Sequence, residues 1–343
     1  MRTAIALGFV LLVGACGTDK ASNSGGGGDD VTGDDQPGSD GGGADADPYY
    51  LAPPTYGFQI KGPDIDLMPS QEITYCYYFH TPNTQDMAIQ SWESKMTPGS
   101  HHLIFFQTDS NSQADGTLTT DNCGLTGGGL NLPVWTFSAQ TEDALEMMPQ
   151  NDGNGTPVGQ TIPAGKSGYI QMHYLNATDN EVHAHVTVNA NAYPQGTTVT
   201  PAAPFVTFNT NINIPAEGMA SAAGECTVPT DKKFFLMTTH SHKQSVETMV
   251  YDGGTVATGN QITGGTMVVD STDWEHPSVT QWSAMPFYQF TNPKLGYQCN
   301  YVNPNNYDIH EGDSAARDEM CMAVGYFFPS TDAKICLNST TIN

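Results

Sequence analysis

The chain has 343 residues, with 11 lysines and arginines against 36 aspartates and glutamates, for a net charge of −25 at pH 7. That balance excludes a nucleic-acid binder that works by neutralising phosphates, and a protein drawn to an anionic membrane surface. Its seven cysteines contain no C-x-x-C, which removes a thioredoxin-like motif and a zinc ribbon from consideration.

Residues 1–16, MRTAIALGFVLLVGAC, carry one basic residue, an apolar run from Ala4 to Val13, and small residues before Cys16. This is the layout of an export signal, and the run is too short to span a bilayer. The ending Val13-Gly14-Ala15-Cys16 resembles a bacterial lipobox, which implies lipidation at Cys16. Gly17, rather than an aspartate, then points to the outer membrane, on its periplasmic or cell-surface side. Ordinary cleavage that leaves Cys16 as a free thiol is the alternative. Residues 17–48 hold eight aspartates among glycines and serines, and Lys20 is their one basic residue. Such a segment buries too little apolar surface to fold. It reads as a disordered tether of about 30 Å root-mean-square span, and its Asp pairs lack the ligand alternation of a calcium loop.

The remainder reads as almost all β. Runs rich in Val, Ile, Thr, Tyr and Phe recur at 73–79, 102–106, 168–175, 183–190, 205–214, 232–240, 246–252, 265–270 and 322–328. Gly, Pro, Asn and Asp clusters separate them, and no long 3.6-residue periodicity appears. Antiparallel β-sandwiches of jelly-roll type follow. The stretch 191–204, with three prolines, reads as the connection between two domains, 57–200 and 201–343. Without Cys16, six cysteines remain in an exported chain: Cys76, Cys123, Cys226, Cys299, Cys321 and Cys336. They read as three disulfides, and spacing alone leaves their connectivity open.

Ten histidines are unevenly placed. His101 and His102 are adjacent in GSHHLIFF, where a regular strand would point them to opposite faces. His240 and His242, in THSH, are two apart and share a face, the simplest way for one strand to offer two imidazoles to a metal. His183 and His185 repeat that spacing; they read as a solvated or structural strand face, with an accessory metal site as the alternative. His173 ends an apolar run, while His80, His276 and His310 are isolated. A pair of imidazoles does not name its metal, whereas a thioether favours Cu(I).

His101-His102, His173 in QMHY, His240-x-His242, GYQCNY at 296–301 and DEMC at 318–321 occur in an order that resembles the copper type II ascorbate-dependent monooxygenases, the family of peptidylglycine α-hydroxylating monooxygenase and dopamine β-monooxygenase. The resemblance covers residues 57–343. It implies two jelly-roll domains, each with one copper ion, facing each other across a solvent-filled cleft. His101, His102 and His173 would hold the copper that delivers an electron. His240, His242 and the sulfur of Met320 would hold the copper that meets O2 and attacks a C–H bond, with ascorbate or another small reductant recharging both. Gln171 would stand behind the ligands, and the disulfides would be Cys76–Cys123, Cys226–Cys336 and Cys299–Cys321. The implied protein is a monomer acting on a small molecule. Thr238, Met322 and Val324 stand where amidating members carry an arginine, an asparagine and a tyrosine. A terminal carboxylate finds no bidentate partner among them, which disfavours peptide amidation. A non-catalytic copper-handling lipoprotein on the same scaffold is the second reading.

Overall fold

The structure is a computed structural model that describes residues 50–121, 123 and 132–342. The export signal, the tether and Cys16 lie outside the described residues. Among those described there is no α-helix, and no helix long and apolar enough to cross a membrane. The all-β expectation is met.

The first half is a jelly-roll sandwich of two sheets. One runs Gly57–Lys61, Val186–Ala192, Met87–Met96, Val158–Ile162, Thr200–Pro201, with Asp143–Met147 also paired to Met87–Met96. The other runs Leu118–Thr119, Glu72–His80, Ser167–Leu175, Ser100–Gln107, Val134–Ala139. Between them Trp92 stacks on Phe137 at 5.6 Å and meets Phe105 at 4.9 Å. The second half repeats the plan. One sheet includes Lys233–Ser241, Cys321–Phe328, Ala203–Phe208 and Lys334–Leu337 in that order, and the other is Met219–Thr227, Lys294–Val302, Ser245–Asp252, Thr266–Ser271. Phe234 is its centre, touching Phe205, Phe290 and Phe327. Two pairings depart from an antiparallel plan: Thr200–Pro201 runs parallel to Val158–Ile162, and Lys334–Leu337 runs parallel to Ala203–Phe208.

Apart from Pro201, which pairs with Gly159, strand ladders stay within each half among the described residues, yet the apolar core does not. Phe208, Phe235, Met322, Tyr326 and Phe328 of the second half belong to the same buried cluster as Trp92, Phe106 and Trp135 of the first. The sheets that meet there are covered on both faces. Their strands are accordingly buried almost residue by residue: Ser100–Gln107, Ser167–Leu175, Lys233–Ser241 and Cys321–Phe328. A sheet buried on both sides reads as continuous apolar sequence rather than as alternation.

Three disulfides are present, Cys76–Cys123, Cys226–Cys336 and Cys299–Cys321, the pairs the resemblance implied. Their spans set an expected order of stabilisation through loop-closure entropy. Converting both Cys226 and Cys336 to serine should cost about 5 kcal/mol, and Cys299 with Cys321 about 3 kcal/mol, since the pairs are 110 and 22 residues apart. Denaturant unfolding of the two double variants checks this. Equal losses would show that loop length is not what sets them.

Candidate metal centre

The adjacent histidines are reconciled by a bulge. His173 is opposite His102 in the ladder between Ser167–Leu175 and Ser100–Gln107, but Tyr174 is opposite Ser100. His101 is the extra residue, and a bulge re-aims the side chain it carries. Gly99, at φ 93°, turns the chain just before it, and its carbonyl accepts the Leu175 N–H at 2.9 Å. Both imidazoles therefore reach the same space, with ring centres 5.1 Å apart and each 5.2 Å from His173.

His240 and His242 come to that space from the second half. His240 is opposite Met322 near the end of Lys233–Ser241, and His242 follows the strand. The His101 ring is 5.7 Å from both His240 and His242, and His102 is 5.0 Å from His240. The resemblance implied two ligand sets separated by solvent. Here the two halves are closed on each other, and all five rings form one buried cluster. Among the described residues, the group of three whose ligand atoms lie within 4.8 Å of one another is His101, His102 and His240, which crosses the two expected sets.

Acceptors around the cluster fix four tautomers. His240 donates from Nδ1 to Gln140 Oε1 at 2.6 Å, and Gln140 Nε2 donates to the Thr239 carbonyl, which orients the amide. His173 donates from Nε2 to Glu72 Oε1 at 2.8 Å, and His242 from Nδ1 to the Asp318 carbonyl at 3.2 Å. His102 donates from Nε2 to Gln171 Oε1 at 3.3 Å, and Gln171 in turn donates to the Cys123 carbonyl. The opposite nitrogens are buried and make no hydrogen bond: His102 Nδ1, His173 Nδ1, His240 Nε2 and His242 Nε2, joined by His101 Nε2. Burial, followed by the neighbouring imidazoles, holds His101, His102 and His242 well below the usual histidine range and brings His240 down to about 3. Five buried imidazoles, each with a nitrogen that makes no hydrogen bond, fit a metal ion, and an outer acceptor of the kind found behind four of these rings is the usual support for such a ligand.

Two of these supports cross between the halves. Gln140 belongs to the first half and holds His240 of the second. Glu72 holds His173, accepts the Ser314 hydroxyl at 3.0 Å, and accepts the Ala316 N–H at 3.3 Å. Burial opposes its ionisation, but the His173 hydrogen bond and charge, with those two donors, keep its carboxyl below the usual value. Met320 is buried. It lines a cavity of about 10 Å³ with His102, Gln171, Asp313 and Met322, which is room for about one water molecule. Its carbonyl accepts the Tyr301 hydroxyl at 2.9 Å. A larger cavity of about 580 Å³ reaches His101 from outside, walled by Trp274, Gln140, Glu142, Asp143 and Glu275.

The other histidines stand apart from the five rings, although His276 lines the cavity that reaches His101. His183 is 76% exposed and pairs with Asp66 at 2.6 Å, on a strand whose continuation breaks at His185. His80, at the other end of the Glu72–His80 strand, bonds Asp115 and Ser167. Thr238 gives its hydroxyl to the Ser278 carbonyl, and Met322 and Val324 are buried in the shared core. Sequence reasoning does not find Glu72, Gln140 or Trp274, because nothing local marks them; Asp318 lies in the DEMC motif, but its role through a backbone carbonyl leaves no mark in the residue type.

No protein-family model and no curated protein matches the chain. Among solved structures, a chain of Sulfolobus Turreted Icosahedral Virus aligns at 8% identity over 80% of this chain and 92% of its own, with a TM-score of 0.30. The PBSX exported protein XepA aligns at 9% identity over 79% and 86%, with a TM-score of 0.20. Likeness at this level carries no argument about activity.

Proposed function

We propose that the chain is a copper-dependent monooxygenase that hydroxylates a C–H bond of a small molecule with O2 and a reductant such as ascorbate. What supports it is the donor set: five buried imidazole nitrogens that make no hydrogen bond, with a methionine that shares a cavity wall with His102. His101, His102 and His173 would hold one ion and His240, His242 and Met320 the other. The six donors suffice for two ions at three each, and the thioether tips imidazole sites from zinc towards copper. Copper bound there would supply one-electron redox chemistry and reactivity towards O2. The chain's own residues do the rest. Glu72, Gln140, Gln171 and the Asp318 carbonyl hold the ring protons away from the centre, the packed halves exclude bulk water, and the cavity at His101 admits small molecules.

The complete burial of His173 and His242 favours a second reading, a copper-handling protein that retains metal without turnover. In either reading the protein is exported, and lipid at Cys16 is its membrane attachment. Metal analysis of the purified protein should give two coppers per chain, and His173→Ala should lower the count by about one. Zinc in place of copper, or an unchanged count in the variant, would overturn the assignment. Substrate-dependent O2 uptake then separates the enzyme from the handling protein.

A further inference from the structure

Glu146 sits on the wrong side of its strand. In Asp143–Met147 the flanking Leu145 and Met147 are 62% and 40% exposed, while Glu146 is buried. Its Oε1 is shielded from solvent and makes no hydrogen bond. A buried carboxyl left so is costly, and native proteins retain one when something outside the fold completes it. Glu146 lines a cavity of about 280 Å³ between the two halves, whose walls include Phe137, Leu236, Val279 and Thr238. The hydroxyl of Tyr326, also on this cavity, is likewise buried and without a hydrogen bond.

The cavity adjoins the histidine cluster. Thr238 is two residues before His240 on the same strand, and Gln140, which accepts the His240 proton, lines both this cavity and the one that opens on His101. Among the described residues no lysine or arginine lines it; its ionisable side chains are Asp143, Glu146, His276 and Tyr326. A carboxylate ligand would have to shed its water beside Asp143 with no lysine or arginine to compensate, and the His276 side chain, 67% exposed, already faces Asp273 at 3.6 Å. An ammonium would have to leave water for an apolar chamber, where desolvation outweighs the gain from a single carboxyl. Burial also pushes the Glu146 carboxyl up to about 8, so it is protonated at neutral pH and both donates and accepts.

We propose that this cavity is the substrate pocket and that Glu146, with the Tyr326 hydroxyl, anchors a small, uncharged ligand with an apolar body and one head group that both donates and accepts a hydrogen bond. The assignment as substrate rests on the monooxygenase reading; the binding itself does not. The test is calorimetric titration of the copper-loaded full chain with hexanamide, hexanoate and hexylamine, which share one body, with copper content measured in parallel. Hexanamide should bind at least about tenfold tighter than either ion. Glu146→Leu should weaken it by about tenfold or more, the low end of what an unpaired buried polar group costs, while Glu146→Gln, which keeps a donor and an acceptor, should hold it within a few-fold. Val279 is 59% exposed at the cavity wall, so Val279→Trp offers a second block that spares the core and should weaken hexanamide as much. Copper content should not change in any variant. Tightest binding of hexylamine, or hexanamide affinity indifferent to both Glu146→Leu and Val279→Trp, would overturn the pocket assignment. A wild-type chain that takes up no copper yet binds hexanamide, with that binding lost in Glu146→Leu, would instead overturn the monooxygenase reading and leave the pocket standing.

Discussion

Glu319→Ala is expected to lower the unfolding free energy of the metal-free protein by about 2–6 kcal/mol. The carboxylate is 0% exposed, and it accepts the backbone N–H of His242 at 3.0 Å and of Gln244 at 2.6 Å. These residues form the turn between Lys233–Ser241 and Ser245–Asp252, closed by the Ser245 N–H on the His242 carbonyl. Burial pushes the Glu319 carboxyl up to about 8, even though the N–H groups of His242 and Gln244 oppose that rise. Alanine leaves both N–H groups buried without an acceptor, and each such loss costs about 1–3 kcal/mol. Glu319→Gln keeps one acceptor oxygen and turns an NH2 towards the other donor, so its loss should be intermediate. Denaturant unfolding of metal-free wild type and both variants measures this. A loss under about 0.5 kcal/mol for alanine would mean that the turn, and His242 with it, is held by something else.

The strands that build the site were the most legible part of the fold. ITYCYYF, HLIFF, GYIQMHYL, KKFFLMTTH and MAVGYFF all fall in strands, because the sheets they form are covered on both faces and write themselves as unbroken apolar runs. Met87–Met96 does not read as a strand. It packs Trp92 into the core, but its buried Ser91 and Ser94 and its Glu93 and Lys95 break any apolar periodicity. The run 205–214 reads as one strand and is two. The chain leaves the sheet after Phe208, where the Asn209 side chain bonds the Asn211 N–H and the Ala223 carbonyl. The run 183–190 is divided at His185, with Ala184 paired to Ile65 and Val186 to Met96.

The site was legible as residue types and order, not as geometry. Five histidines selected from the sequence do meet, but the bulge that brings His101 alongside His102 depends on the register of a strand some 70 residues away, at Tyr174. The acceptors Glu72 and Gln140 lie 101 and 100 residues from the histidines they hold, so local pattern carries no trace of them. The closure of the two sandwiches was also hidden. Alternation within a strand says which face is buried, and not which distant sheet buries it. Glu146 left one faint mark, an acid between Leu145 and Met147, which only strand geometry turns into a question.

Met320→Ile is expected to abolish ascorbate-driven O2 uptake while leaving the fold intact. Met320 is 8% exposed within the core shared by both halves and precedes Cys321, whose disulfide to Cys299 pins the backbone. Its carbonyl is held by the Tyr301 hydroxyl whatever the side chain. Isoleucine keeps a similar apolar volume there and should cost under about 1.5 kcal/mol. The chemistry changes far more. A thioether is a good ligand for Cu(I) and a poor one for Cu(II), so its loss should alter redox cycling more than metal retention. Uptake should fall beyond the 10–100-fold typical of losing a partner outside the ligand set, with the copper at His101, His102 and His173 nearly unchanged. Met320→His should retain metal and still lose most activity, since nitrogen no longer favours the reduced ion. Oxygen uptake with ascorbate and a panel of apolar substrates, with copper content in parallel, measures all three proteins. Full turnover in Met320→Ile would return Met320 to the core as ordinary packing and leave His240 and His242 with a different third ligand. Two tightly held coppers in wild type, with no substrate-stimulated uptake on a broad panel, would make copper handling the better account of the same five histidines.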